Sequence, residues 1–164
     1  MADKKGTEAN TSTGVAIVDA GPSEIANKPG EPAFKLALST KQIVFPCPIE
    51  RKPVSVAIKI YNGSNDPQTF KVKCTSAEVF RVQPPLGVIK PNSTQEIVLW
   101  FQNKMRLEAP KHYFAFYHMK ADNRTPKEMW ANAKAEGVRR VPAIFEGPGA
   151  APVAPSTISA LKKQ

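Results

Sequence analysis

Val82-Gln83-Pro84-Pro85-Leu86-Gly87-Val88-Ile89-Lys90-Pro91 is the stretch whose reading decides the fold. Pro84 and Pro85 carry no backbone N–H and cannot sit inside a central strand, so the chain turns or bulges there. Gly87 permits a positive φ at the turn. Pro91 with Asn92-Ser93 marks a second turn close behind. Between the turns, the apolar pair Val88-Ile89 can plug a core. The segment reads as a strand end, a proline-fixed corner, a short plug and another turn. With alternating strands on both sides, it is the corner of a β-sandwich.

Working downstream, Ile97, Leu99 and Phe101 point one way and Val98 and Trp100 the other. Both faces are apolar, which predicts a central strand or a covered second face. Lys104 to Lys111 reads as a loop. His112 to Met119 follows as a strand, with Phe114 and Phe116 against Tyr113, Ala115 and Tyr117. Thr125-Pro126-Lys127-Glu128 opens one helix: Thr125 caps, Pro126 suits the first helical position, and Glu128 completes a capping box. Met129, Ala133 and Trp130 give it an apolar side, and Gly137 is expected to stop it. Val141 to Phe145 is a last strand, with Pro142 requiring an edge or bulge.

Upstream, Phe34, Leu36 and Leu38 alternate with polar or small residues, the period of a half-buried strand. Ile43-Val44-Phe45 stays extended until Pro46-Cys47-Pro48 breaks pairing. Val54, Val56, Ile58 and Ile60 form the clearest strand, ended by the turn Asn62-Gly63-Ser64-Asn65-Asp66-Pro67. Phe70, Val72 and Cys74 then share one face and Thr69, Lys71, Lys73 and Thr75 the other. A short strand, Val79 to Val82, leads into the corner. Seven or so short strands predict an all-β, immunoglobulin-like seven-stranded β-sandwich with one short helix.

The chain has 164 residues, which favours one domain with tails. Residues 1–31 are expected to be a disordered N-terminal tail, residues 32–147 the sandwich domain and residues 148–164 a flexible C-terminal tail. The first tail has no aromatic residue and is rich in Thr, Ser, Gly, Ala and Pro, too little apolar surface to offset ordering entropy. Within it, Val15-Ala16-Ile17-Val18 can add as a strand to a sheet edge. Net charge is −2 for the first segment, +9 for the body and +2 for the last. So basic a body attracts acidic partners. No run of about 18 apolar residues is present, predicting no transmembrane anchor. No apolar leader opens the chain, so Cys47 and Cys74 are expected to be reduced and half-buried.

Catalytic groups are scarce. His112 and His118 share a face but lie about 20 Å apart along one strand, too far for a common metal or triad. There is no Cys-x-x-Cys, paired carboxylate motif or glycine-rich phosphate loop. The reading therefore expects no enzyme, no metal and no cofactor. Nucleic acid is also not expected, because aromatic and basic residues do not interleave in a stacking platform.

Five blocks of this sequence fall in one order: Ile43-Val44-Phe45-x-x-Pro48, Ile60-Tyr61-Asn62-x-Ser64, Phe70-Lys71-Val72-Lys73-x-Thr75, the proline corner, and Ile144-Phe145-Glu146. Over residues 32–147 the chain resembles the major sperm protein (MSP) domain, shared by nematode sperm cytoskeletal proteins and membrane-contact adaptors. The resemblance implies the same sandwich. In the adaptor branch, positions matching Lys71, Lys73, Thr75, Tyr113, Ala115 and Arg140 form a basic groove for an acidic peptide carrying two phenylalanines. Lys73 and Thr75 match, and Arg140 stands where a lysine is expected. Cys74 replaces a threonine, Tyr113 a lysine and Ala115 a methionine, which removes a charge contact and reshapes the aromatic pocket. A working groove and a solvated basic face both stay open.

In the sperm branch, such domains assemble through sheet edges into filaments without nucleotide. Here Pro46-Cys47-Pro48, Pro142, Arg51-Lys52 and Arg139-Arg140 disfavour edge-to-edge pairing. The resemblance thus implies an accessory protein that binds MSP filaments or other MSP-domain proteins. It would modulate filament assembly or bundling in the cytoplasm and cytoskeleton of the sperm pseudopod. The alternative is a soluble VAP-like adaptor for acidic phenylalanine-containing peptides, without the heptads or apolar span of that branch after Phe145.

Overall fold

The computed structural model describes residues 16–107 and 112–151, together with the backbone of Thr11–Thr13. One sheet joins β2 (Ala37–Leu38), β4 (Val54–Asn62) and β8 (Ser93–Phe101). Beyond β8 it is completed by β6 (Phe80–Gln83) along one half and β1 (Thr11–Thr13) along the other. The second sheet runs β3 (Ile43–Pro46), β10 (Gly137–Glu146), β9 (Tyr113–Lys120), β5 (Gln68–Cys74) and β7 (Leu86–Ile89). Pairing is antiparallel except where β3, and an isolated bridge at Ala33, run parallel to β10.

The sheets are joined by two strands that change sides. One path supplies β2 to the first sheet and β3 to the second. The other supplies β6 and β7, with Pro84-Pro85 between them and a cis bond at Gln83–Pro84. Counting each path once, and setting β1 aside, leaves the seven strands of an immunoglobulin-like sandwich. The corner therefore does what the sequence predicts, but two of its residues act differently. Gly87 is not among the residues with positive φ; it lies in β7 opposite Phe70. A Cβ there would come within 2.6 Å of the Phe70 ring, so the glycine serves close approach instead. The left-handed residue is Asn92, in the following turn. Of the expected plug, Ile89 is fully buried, while Val88 faces outward.

Alternation fills the interior as expected. Phe45, Phe80, Phe101, Phe114 and Phe145 form a ring cluster across both sheets, with centroids 4.8–6.2 Å apart. Ile58, Ile60, Phe70, Val72, Ile97, Leu99 and Val141 continue the same core. Two buried asparagines hold loops to it. Asn62 Nδ2 donates to the carbonyls of Asp66 (2.8 Å) and Ile89 (2.9 Å), and Asn103 Nδ2 to those of Glu50 and Lys52. Cys47 is buried, Cys74 half-buried, and both are free thiols.

The helix α1 (Pro126–Trp130) has the expected capping box, Thr125 Oγ1 accepting from Glu128 N–H and Glu128 Oε1 from Thr125 N–H. It ends at Trp130, before Gly137, which opens β10 beside His118. A Cβ on Gly137 would meet His118 Nε2 at 2.1 Å, so close packing and not helix termination requires this glycine. The last strand is correspondingly longer than its apolar run suggests. It pairs with β9 up to Pro142 and with β3 from Ala143. Pro142 thus falls where β10 changes partners, an edge position for its missing donor.

The segment ahead of the body is placed differently from expectation. Instead of leaving the body, residues 19–31 lie along it through hydrogen bonds and ion pairs, which supply the ordering that apolar burial does not. Val18 is 89% exposed; the segment that adds to a sheet edge is Thr11–Thr13, antiparallel to Ser93–Gln95. Val15 lies outside the described residues, as does the C-terminal segment after residue 151. Gly149 still pairs with the body, its N–H on Cys47 O and its carbonyl on Arg51 Nη1.

Candidate partner-binding face

Adjacent strands β5, β9 and β10 set outward-facing residues in rows. Lys71 lies opposite Tyr117, which lies opposite Val138; Lys73 lies opposite Ala115, which lies opposite Arg140. Beside them Thr75 N–H donates to Tyr113 O, and Tyr113 lies opposite Pro142. The register therefore gathers Lys71, Lys73, Thr75, Tyr113, Ala115 and Arg140 on one outer face, opposite in parity to Phe70, Val72, Phe114 and Phe116.

Their availability differs. Lys73 is exposed. The Lys71 ammonium stands 6.0 Å from the centre of the Trp130 ring, and desolvation together with Lys73 pushes its pKa down. Thr75 Oγ1 is engaged by His112 Nδ1 at 2.8 Å and by Tyr113 N–H. Ala115 is buried. Arg140 is only 5% exposed, its guanidinium 5.9 Å from the centre of the Tyr113 ring.

What covers Arg140 is the chain's own segment. Glu31 takes it in a two-pronged pair, Nη1–Oε1 2.6 Å and Nη2–Oε2 3.0 Å. This pair holds the Glu31 carboxyl down at about 2 and raises the guanidinium further. Arg140 Nε finds no acceptor among the described residues. On the next residue, Arg139 pairs with Asp19 at 2.7 Å and lies 4.9 Å over Phe34. Burial works against the Asp19 charge, but Arg139 and the Leu38 N–H outweigh it and lower the pKa.

The same segment closes the free edge of β10. Val138 N–H donates to Pro32 O, Asn27 Nδ2 donates to Val138 O at 2.9 Å, and Ser23 Oγ donates to Arg140 O. Asp19, Ser23, Asn27 and Glu31 therefore border this candidate face, and the sequence reading passed over them. A signal was present: Lys28-Pro29-Gly30-Glu31 has the Pro-Gly pair of a type II turn. Gly30 takes φ +86° and Glu31 N–H donates to Lys28 O, which presents the carboxylate to Arg140.

His118 belongs to the fold. Its Nε2 accepts from Lys35 N–H (2.9 Å), which fixes the proton on Nδ1, donated to Gln68 Oε1 at 3.0 Å. Burial first, then Lys35 and Arg139, pushes its pKa down to about 4. His112 is at the other end of β9. Among the described residues no group of three His, Cys, Asp or Glu could hold a metal ion.

Residues 35–138 match the model of the MSP (Major sperm protein) domain. The chain belongs to the MSP domain family. The Caenorhabditis elegans protein R05D3.5 is 46% identical over 153 residues, covering 79% of this chain and 86% of its own. Two solved C. elegans MSP-family structures share the fold. WR4 has a TM-score of 0.56 at 16% identity, over 69% of this chain and 99% of its own. SSP-19, an MSP-domain protein like family member, has 0.52 at 17%, over 62% and 94%. No helix among the described residues is long and apolar enough to cross a membrane.

Proposed function

We propose that this MSP-domain protein is a non-enzymatic cytoskeletal accessory protein. It binds major sperm protein filaments, or other MSP-domain proteins, and modulates their assembly or bundling in nematode sperm amoeboid motility, within the cytoplasm and cytoskeleton of the pseudopod. The observation that supports this best is the closed edge of β10. An MSP domain whose strand edge is filled by its own Ser23, Asn27 and Pro32 is poorly suited to add copies of itself edge to edge. Its remaining surfaces are free to meet a related sandwich, and the +9 body adds attraction.

The test is co-sedimentation with preassembled major sperm protein filaments at low and moderate salt. Saturable pelleting that survives moderate salt is the expected result. Pelleting that vanishes with salt would mean that only the net field acts, and no pelleting would sink the proposal.

The second reading, a soluble adaptor for acidic phenylalanine-containing peptides, is favoured by the gathering of all six candidate residues on one face. Lys71→Glu with Lys73→Glu separates the two. It should abolish acidic-peptide binding and leave specific filament binding largely intact. Charge reversal at Arg140 is a poorer probe, since it would set two carboxylates against each other at Glu31.

A further inference from the structure

We infer that residues 19–32 are a built-in occupant of the basic face, holding Arg140 closed and yielding it to an extended, carboxylate-bearing segment of a partner. The inference rests on the second reading above, that this face takes acidic segments, and assigns its regulation.

Three features make the segment an occupant. It satisfies the free edge of β10 as an added strand or peptide would, through Pro32 O, Asn27 Nδ2 and Ser23 Oγ. Its carboxylates meet the tandem arginines from both sides, Asp19 on Arg139 and Glu31 on Arg140. The Pro29-Gly30 turn fixes Glu31 in place: the carboxylate also accepts from Lys28 N–H at 2.8 Å.

Other features make it exchangeable. The buried hydrophobic residues begin at Leu36, so no side chain of residues 19–32 is buried in the core, and the segment's inner tie is made by the hydrogen bonds of Asp19 and Ala20 to the Leu38 backbone. Glu24, Ala26, Lys28, Pro29 and Gly30 are exposed. A segment held by edge hydrogen bonds and ion pairs, with little apolar burial, sits at the low end of local stability. An incoming acidic chain can replace those contacts one for one, and Arg140 Nε offers it a donor that Glu31 leaves unused.

The experiment uses the full chain and its Glu31→Gln variant. An acidic peptide carrying two phenylalanines is titrated into each, and cleavage after the exposed Glu24 by a glutamate-specific protease is timed in each. Glu31→Gln should bind the peptide roughly tenfold more tightly or better, as expected for removal of a competing charge-assisted pair. Its cleavage after Glu24 should also be faster, while the circular dichroism of the body is unchanged. Gly30→Ala strains the same turn at φ +86° without touching a charge. It should show both changes, and carries the test if Glu31→Gln fails to fold. Equal peptide affinity in wild type and variants would overturn the occupant and leave the acidic-peptide reading standing. Faster cleavage without peptide binding in any variant would overturn that reading, and the inference with it.

Discussion

His118 and Glu31 are each perturbed by what they touch, in separate pH windows. The imidazole is neutral in the fold, with its pKa lowered from 6.5 to about 4, chiefly by burial. Protons therefore bind the unfolded chain more readily. The stability this group contributes is complete above about pH 6.5 and is lost as pH falls through about 4, a difference of roughly 3 kcal/mol. Glu31, held at about 2 by Arg140, has its window lower: its contribution is complete above pH 4.5 and is lost towards 2. Urea unfolding followed from pH 7 to pH 4 should show a falling midpoint, and His118→Gln should flatten that slope. A slope unchanged in the variant would place the acid sensitivity elsewhere. Gly137 belongs to the same unit, because only a residue without Cβ lets the ring lie against β10.

In the strands and turns, the apolar alternation was enough to order the elements, and the capping box was enough to begin α1 at Pro126. The functions of single glycines were less legible. Gly87 and Gly137 read as a turn and a helix stop because local sequence knows only local uses of glycine. In the fold both are in strands, emptied for Phe70 and His118, and those partners are distant in sequence. That the six candidate residues share a face was legible because period-2 parity is a local rule and the family resemblance supplies which strands are neighbours. The segment that covers them was not. Its cohesion comes from Arg139 and Arg140, more than a hundred residues away, and not from its own composition. The corner gives a direct check on this account. Gly87→Ala should cost about 1–3 kcal/mol, because the Phe70 ring it would crowd is 1% exposed and cannot turn aside. Val88→Thr, one residue on and outward-facing, should change stability by less than about 0.5 kcal/mol. Denaturant midpoints at unchanged m-value decide it. Equal effects at the two positions would mean that Phe70 has room to move.

As a whole, the molecule is one core served by two sheets, and its free thiols are placed to report how that core opens. Cys47 follows β3, and Cys74 ends β5 opposite Phe114 of the ring cluster. Burial raises both thiol pKa values, so neither forms much of the reactive thiolate at neutral pH. Each also lies in or against the same hydrophobic cluster, whose phenylalanines come from β3, β5, β6, β8, β9 and β10. The changes of sheet at β2–β3 and β6–β7 tie the layers together, so neither sheet can leave without unpacking that cluster. A thiol reagent added to the native chain should therefore label buried Cys47 slowly, at a rate that rises with denaturant along the global unfolding curve, and half-buried Cys74 faster, at a rate that low denaturant leaves unchanged. A Cys74 rate that already climbs at low denaturant would show that the β5 end opens independently, placing Lys73 and Thr75 on a locally mobile part of the face. An unchanged rate would instead mean that the face is rigid beneath residues 19–32. Access to Arg140 would then be governed by the covering segment and not by the sheet that carries it.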